Sequence, residues 1–163
     1  MTYLALENKI KTVDELVNIA AELKQQAKIV VTNNGSYDIM HLGHIYGLFN
    51  AKEQGDVLMV GLNSDASIKS YKSVHRPIND EKMRLRMLAA LSCVDYVFLF
   101  EETTPHAWLE RLKPQIHTNG AEYGNECIER NLVEAQGGKI HLLPMVKGYK
   151  TSLIIDKIKQ CPA

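Results

Sequence analysis

The chain has 163 residues, 45% of them hydrophobic, and its 19 basic and 19 acidic side chains leave no formal net charge at pH 7. That length suits one domain able to bury well over half of its unfolded surface. A balanced charge excludes a global field that would recruit nucleic acid or an anionic membrane, so an anionic ligand must be held by a local site.

Cys93, Cys127 and Cys161 are far apart, odd in number and form no C-x-x-C pair. A disulfide framework or zinc cluster is therefore not expected, and a reducing cytoplasm is the expected home. The chain opens without a basic-then-apolar leader and contains no run approaching the ~20 apolar residues of a membrane span. A cytoplasmic, full-length protein is the expectation.

Thr12-Val13-Asp14-Glu15 has the capping-box pattern, with Thr12 as N-cap and Glu15 at the third helical position. Leu16, Ile19, Ala20 and Leu23 continue an apolar stripe, which predicts an amphipathic packing helix before the first strand. Residues before Thr12 fit either an arm or a dimer contact.

Lys28 to Thr32 is apolar and β-branched, a strand pattern. Asn33-Asn34-Gly35-Ser36-Tyr37-Asp38-Ile39-Met40-His41-Leu42-Gly43-His44 follows, and a helical pattern runs from about His44 to Gly55. A strand, a glycine-bearing turn and a helix start make an anion site, because the first helical N–H groups lack internal partners. His41 and His44, three residues apart, fall on one face at the helix opening, and Gly43 lets a ligand approach the backbone. Two surface histidines beside a turn, or a metal pair, would give the same spacing.

The pattern Gly35-x-Tyr37-Asp38-x-x-His41-x-Gly43-His44 resembles the G-x-F-D-x-x-H-x-G-H signature of the cytidylyltransferase-like nucleotidyltransferases, with Tyr in place of Phe. Such enzymes join a nucleoside monophosphate to a phosphorylated acceptor and release pyrophosphate. The resemblance implies that His41 and His44 contact the triphosphate and stabilise transition-state charge, and that Asn34, Gly35, Ser36, Tyr37, Asp38 and Gly43 line the nucleotide site.

Val57 to Leu62 is a nearly unbroken apolar run, as in a parallel strand covered on both faces. Strand, helix and strand in succession imply a right-handed crossover in an α/β sheet, with functional loops at the strand C-terminal ends. Asn63 or Ser64 then caps a short helix. Lys72 to Asn79 carries Lys72, His75 and Arg76 with Pro77 and reads as a loop, either a phosphate clamp or a solvated basic segment.

Asn63-Ser64-Asp65-Ala66-Ser67, Lys72, Arg76-Pro77-Ile78-Asn79 and Arg84 are similar to the N-S-D-A-S, L-K-G, R-P-[VI]-N and R run of the heptose-1-phosphate adenylyltransferases. The similarity continues through Ala89-Ala90-Leu91 and Val94-Asp95. It implies catalytic roles for Lys72 and Arg76 and substrate contacts for Asn63, Asp65 and Arg84. These relatives occur fused to a sugar kinase or as a separate chain, and 163 residues leave no room for the kinase.

Asp80 to Leu91 is predicted to be helical with Met83, Met87, Leu88 and Leu91 inward, and Val94 to Phe100 a third strand. Thr104-Pro105 reads as an N-cap and a first helical proline. The next helix carries Trp108, for which core packing or a subunit contact is the default over base stacking. Pro114 to Thr118 and Lys139 to Leu143 read as strands four and five, with Gly137-Gly138 ending the helix between them.

Asn119-Gly120-Ala121-Glu122-Tyr123 resembles the family's K-G-G-D-Y. The resemblance implies nucleotide contacts at Asn119, Gly120 and Tyr123, although Asn119 stands where relatives have a lysine. Gly148-Tyr149-Lys150-Thr151-Ser152 opens the last helix with Thr151 or Ser152 as N-cap. It is similar to the family's G-x-S-T-T, which implies that Thr151 and Ser152 hold phosphates. Lys150 stands where relatives often have serine. Met145 occupies the place of the arginine in the R-T-E-G-I-S-T of cytidylyl-transferring relatives.

The expectation is one doubly wound, Rossmann-like α/β domain of about five parallel strands over residues 28–163, preceded by a helical segment at 1–27. The expected reaction is AMP transfer from ATP to a sugar 1-phosphate, with Mg²⁺ bridging the phosphates, no dedicated protein metal site, and no nucleic-acid or membrane partner. Cytidylyl transfer to a polyol phosphate, a non-catalytic nucleotide-binding protein and a metal-binding H-x-x-H protein are the alternatives. The resemblance also implies a homodimer.

Overall fold

The computed structural model describes residues 2–121, 124 and 127–161. The apolar runs form five parallel strands: β1 (Val30–Gly35), β2 (Val57–Asn63), β3 (Tyr96–Phe100), β4 (Ile116–Gly120) and β5 (Lys139–Leu143). Their order in the sheet is β3-β2-β1-β4-β5. The chain winds outward from β1 to β3, returns across the sheet to β4 and continues to β5. The winding reverses between β1 and β4, and at such a switch point the loops leaving the two strands diverge and open a crevice at their C-terminal ends.

Helices α1 (Tyr3–Glu7), α2 (Val13–Gln25), α3 (Leu42–Lys52), α4 (Asp65–Tyr71), α5 (Glu81–Ala89), α6 (His106–Leu112), α7 (Arg130–Ala135) and α8 (Thr151–Lys159) accompany the sheet. On one face, Leu48 and Ala51 of α3 and Leu88 and Ala89 of α5 pack with Val31, Leu58, Val60, Leu62 and Val97. On the other, Leu16 and Ala20 of α2, Trp108, Leu109 and Leu112 of α6 and Val133 of α7 cover Val30, Met59, Phe98 and Phe100. Cover on both faces is why β2 reads as continuous apolar sequence and not as an alternation. Trp108 is 2% exposed, packed edge-on to Phe98 at 5.0 Å between ring centroids, in keeping with its core default.

The capping box of α2 forms as expected: Thr12 Oγ1 accepts from the Glu15 amide at 3.2 Å, and Glu15 Oε2 accepts from the Thr12 amide at 2.7 Å. Upstream, Ile10 makes a parallel bridge to Val97, and Lys9 Nζ donates to the Leu91 and Val94 carbonyls. Glu7 pairs with Arg86 of α5 at 2.7 Å. The first residues thus lie along the free edge of β3, where they supply partners to backbone groups that an edge strand otherwise leaves open.

Several predicted boundaries shift. Helix α3 starts at Leu42, earlier than the expected His44, because His41 is extended (φ −142°, ψ 171°) and serves as N-cap. Pro105, not Thr104, is the N-cap of α6. Lys150, not Thr151 or Ser152, is the N-cap of α8, again with an extended backbone. In α5 the inward face is Arg84, Leu88 and Ala89, while Met83 and Met87 are 50% and 37% exposed. A fully buried arginine replaces the expected methionines there because carbonyl and carboxylate acceptors converge on it, as described next.

Candidate active site

The switch point is built from the ends of β1 and β4. Asn33 of β1 donates through Nδ2 to the Thr118 carbonyl and hydroxyl at 3.0 and 2.9 Å, stitching the two strands where they diverge. Its Oδ1 accepts from the Tyr37 hydroxyl. Tyr37 is buried in the left-handed region (φ 43°) with its ring over Gly35; a Cβ at Gly35 would lie 3.1 Å from that ring. Burial holds the phenol well above its usual range, so it stays a protonated donor. The loop after β1 is thereby folded back on itself, and α3 starts directly beyond it.

His41 and His44 meet there. Their rings stack with centroids 3.8 Å apart and planes 17° from parallel, and Tyr37 meets His44 edge-on at 5.2 Å. His44 Nδ1 accepts from the His41 backbone amide at 3.4 Å. Burial first, then the neighbouring His41 and Lys72, lowers the His44 pKa to about 4. The ring is therefore neutral at pH 7 with its proton on Nε2, a donor aimed away from the backbone. Burial also lowers the pKa of His41, whose buried Nδ1 has no hydrogen-bond partner. A Cβ at Gly43 would lie 3.1 Å from the His41 ring and 3.4 Å from Cβ of Tyr149, so only glycine allows this approach without displacement.

The expected clamp is divided between buried ties and an exposed arm. Asp38 is 2% exposed with both oxygens engaged: Oδ2 accepts from Arg76 Nε at 2.6 Å, and Oδ1 from the Ile78 and Asn79 amides at 2.8 and 2.9 Å. Asp38 therefore anchors the 72–79 loop and keeps no free oxygen for a ligand. Arg84 is fully buried and donates to the Ser36, Asn63 and Asn79 carbonyls at 2.6, 3.0 and 2.9 Å while pairing with Asp65 at 2.6 Å. It joins the ends of β1 and β2 to the loop before α5. Asn63 is likewise turned inward, donating to Ser67 Oγ at 3.1 Å. Asn79 adds a bond from Nδ2 to the Asp38 carbonyl at 2.5 Å. Lys72 is the exposed arm, reaching back over the β1 loop to Ser36 Oγ at 2.7 Å. Partial loss of its hydration against the loop, then the adjacent Arg76, lowers its pKa.

Across the crevice, Asn119 at the end of β4 is fully used: Oδ1 accepts from the Gly120 amide at 2.9 Å, and Nδ2 donates to Glu129 Oε2 at 3.1 Å. Glu129 is 4% exposed and also accepts from the Cys127 thiol at 3.0 Å. Burial, with that same carboxylate second, raises the Cys127 pKa, so the thiol stays protonated. Neither residue was anticipated, since a Cys-Ile-Glu stretch has no local signal of chemistry. Tyr123, an expected nucleotide contact, lies outside the described residues. Thr151 and Ser152 are the first two residues of α8, whose N-cap Lys150 makes no side-chain capping bond, so the helix offers its first N–H groups uncapped. Tyr149 brings this second helix start against Gly43 and hence beside His41.

The structure thus assembles His41, His44, Gly43, Lys72, Ser36 and the start of α8 around the switch point, while Asp38, Asn63, Asp65, Arg84 and Asn119 stand behind it as internal ties. Among the described residues no three His, Cys, Asp or Glu side chains group to hold a metal ion.

Comparison with known proteins gives a concordant family. The family described as Cytidylyltransferase-like matches residues 33–154. The chain is 44% identical over 151 residues to the bifunctional protein HldE of Geobacter metallireducens, covering 92% of this chain and 31% of that protein. It is 45% identical over 157 residues to the bifunctional protein HldE of Campylobacter jejuni, covering 96% of this chain and 32% of that one. The chain therefore spans about a third of the length of these curated relatives. Among solved structures, a lipopolysaccharide core biosynthesis protein from Thermoplasma volcanium superposes with a TM-score of 0.62 at 30% identity, over 76% of this chain and 99% of that one. The pantoate-beta-alanine ligase of Francisella tularensis shares the fold at 20% identity and a TM-score of 0.61, over 88% of this chain and 68% of that one.

Proposed function

This chain belongs to the cytidylyltransferase-like family of nucleotidyltransferases, and from that premise we propose that it transfers AMP from ATP to a sugar 1-phosphate, releasing pyrophosphate and forming an ADP-sugar. The observation that carries the chemistry is the stacked His41–His44 pair at the start of α3. An acceptor phosphate oxygen attacks the α-phosphorus of ATP, the bond to the β-phosphate oxygen breaks, and pyrophosphate leaves with the bonding pair. The attacking phosphate is already ionised at neutral pH, so no general base is needed. The work is positioning and charge stabilisation, for which a neutral His44 with a proton on Nε2 and the free N–H groups of α3 and α8 are suited.

D-glycero-D-manno-heptose 1-phosphate is the acceptor this reading favours, supported by the N-S-D-A-S and R-P-I-N runs. In this fold those runs do structural work around Arg84 and Asp38, so they speak for the branch more than for a sugar contact. Mg²⁺ would be carried by the triphosphate and water, since Asp38, the carboxylate nearest the histidine loop in sequence, has both oxygens engaged. The protein's own residues fit the phosphates of such a complex and not a cage for the ion. A homodimer and a cytoplasmic home belong to the same reading; among the described residues no helix is long and apolar enough to cross a membrane.

ATP is favoured over CTP because Met145, 57% exposed in the segment before α8, can pack on a purine but cannot donate to the cytosine carbonyl. Competition between equal concentrations of ATP and CTP tests this. A higher kcat/KM for ATP is expected, and a preference for CTP would remove the adenylyl assignment while sparing nucleotidyl transfer.

A further inference from the structure

We propose that the outer face of α5, with α1 beside it, is where two copies of this chain meet about a two-fold axis. The inference rests on the homodimer part of the reading above and adds the surface and its register. Helix α5 turns Arg84, Leu88 and Ala89 inward and leaves Met83 and Met87, one turn apart, 50% and 37% exposed on its outer side. Arg86, between them in the chain, reaches α1: its Nε donates to the Tyr3 hydroxyl at 3.1 Å and to Glu7 at 2.7 Å. That tie sets α1 beside the methionines with Tyr3 and Leu4 67% and 70% exposed, and no residue of α1 is buried. Ile78, 61% exposed, stands just before the Asp80 N-cap at the start of α5.

Area and charge both fit a second copy. At about 100 Å² for each of these five half-exposed side chains, the face offers about 500 Å² of largely apolar surface, over half of the ~800 Å² that each partner gives to a standard interface, and a polar rim supplies the remainder. Charge runs along α5 from the exposed Asp80 and Glu81 at its start to Arg86 in its last turn. Two such helices packed antiparallel set the acidic start of each against the basic end of the other, with their dipoles opposed. Pairing Arg86, whose side chain is 42% exposed, with Asp80 of the partner subunit puts Met83 on the two-fold axis against its own copy and carries Met87 onto Ile78 of the partner subunit. One register thus satisfies the ion pair and the three apolar side chains of α5 and its lead-in. The exposed stripe Leu42, Tyr46 and Phe49 on α3 has no such self-complement: it ends on Glu53, and the neighbouring Lys52 is bound to Asp95 and the Asp56 carbonyl. The α5 face also backs onto the candidate site, since the Ile78 amide donates to Asp38 and Arg84 on the inner side ties the ends of β1 and β2.

Sedimentation of the full chain at micromolar concentration tests this. The wild type should run at twice the mass of the chain. Met83→Glu, which sets like charges face to face on the axis, should run as a monomer with wild-type circular dichroism, and Phe49→Glu on α3 should stay dimeric. In a Cys161→Ser background, which removes the exposed cysteine and leaves the two buried ones, Met83→Cys should form a disulfide-linked dimer on mild oxidation and Phe49→Cys should not. If Met83→Glu does not fold, the Met83→Cys arm decides. A monomeric wild type, a folded Met83→Glu that remains a dimer, or cross-linking through Phe49→Cys in place of Met83→Cys would overturn the surface. Acceptor-dependent pyrophosphate release tests the reaction separately, so a failure of this surface is distinguishable from a failure of nucleotidyl transfer.

Discussion

The backbone amide of His41 donates to Nδ1 of His44 at 3.4 Å, while the two imidazoles stack at 3.8 Å. One contact fixes the tautomer of His44 and the other keeps two cations from forming side by side. The pair can thus present N–H donors to developing phosphate charge while the rings stay neutral. His41→Ala and His44→Ala should each lower kcat by about a hundredfold or more, as for loss of one transition-state donor. Both side chains stand at a loop mouth, so the melting temperature should hardly move. Steady-state kinetics with a thermal melt separate the two effects; undiminished kcat in a folded variant would remove that histidine from the chemistry.

Arg84 is predicted to act on stability before it acts on substrate. Arg84→Ala strands three carbonyls, that of Asn63 buried and those of Ser36 and Asn79 partly so, and the Asp65 carboxylate, a loss of about 3–5 kcal/mol for a broken buried pair. Arg84→Lys should recover little, because one ammonium cannot reproduce the guanidinium fork. Urea denaturation reads this directly. A variant of normal stability with a raised KM would instead make Arg84 a substrate ligand.

The contrast between Arg84 and the α2 capping box shows where the sequence is legible. Thr12 and Glu15 are three residues apart and their pairing is local, so the pattern and the structure agree. The unbroken β2 run and the Gly35-to-His44 loop are likewise written in short-range pattern. Arg84 is not: its acceptors are carbonyls 48, 21 and 5 residues away, and helical periodicity alone assigns the inward face to Met83 and Met87. The same holds for Glu129, whose importance arises only when β4 brings Asn119 beside it. The starts of α3 and α8 are off by one or two residues for a further reason. Their N-cap residues, His41 and Lys150, make no side-chain capping bond, so no polar cap marks the boundary.

Tyr37→Phe should separate loop support from chemistry. The ring over Gly35 and against His44 remains, but the buried Asn33 Oδ1 loses its donor, which costs about 1–3 kcal/mol. Lower stability with near-normal kcat is the expected outcome by denaturation and kinetics. A large fall in kcat at wild-type stability would place the hydroxyl in the reaction.

Acid should destabilise the fold through two histidines. His117 is fully buried, bonded through Nδ1 to Thr32 Oγ1 at 2.8 Å, and burial lowers its pKa to about 4; His44 has a similar value. The unfolded chain binds these protons near pH 6.5 and the folded one only near pH 4. The stability from keeping the rings neutral is therefore complete above about pH 6.5 and is lost as pH falls toward 4. For His117 alone the loss amounts to about 3 kcal/mol. Denaturation at stepped pH should show this slope, and His117→Asn should flatten part of it. A wild-type stability independent of pH between 7 and 4 would show that neither ring has a lowered pKa.

The central claim, adenylyl transfer at the His41–His44 site, is tested most directly by pyrophosphate release from ATP and Mg²⁺ with and without D-glycero-D-manno-heptose 1-phosphate, in the wild type and in His44→Ala. The account predicts release that depends on the sugar phosphate, with an ADP-sugar formed in equal amount, and its near-loss in the variant. No acceptor-dependent release with this or any other sugar 1-phosphate, or undiminished release in His44→Ala, would contradict it.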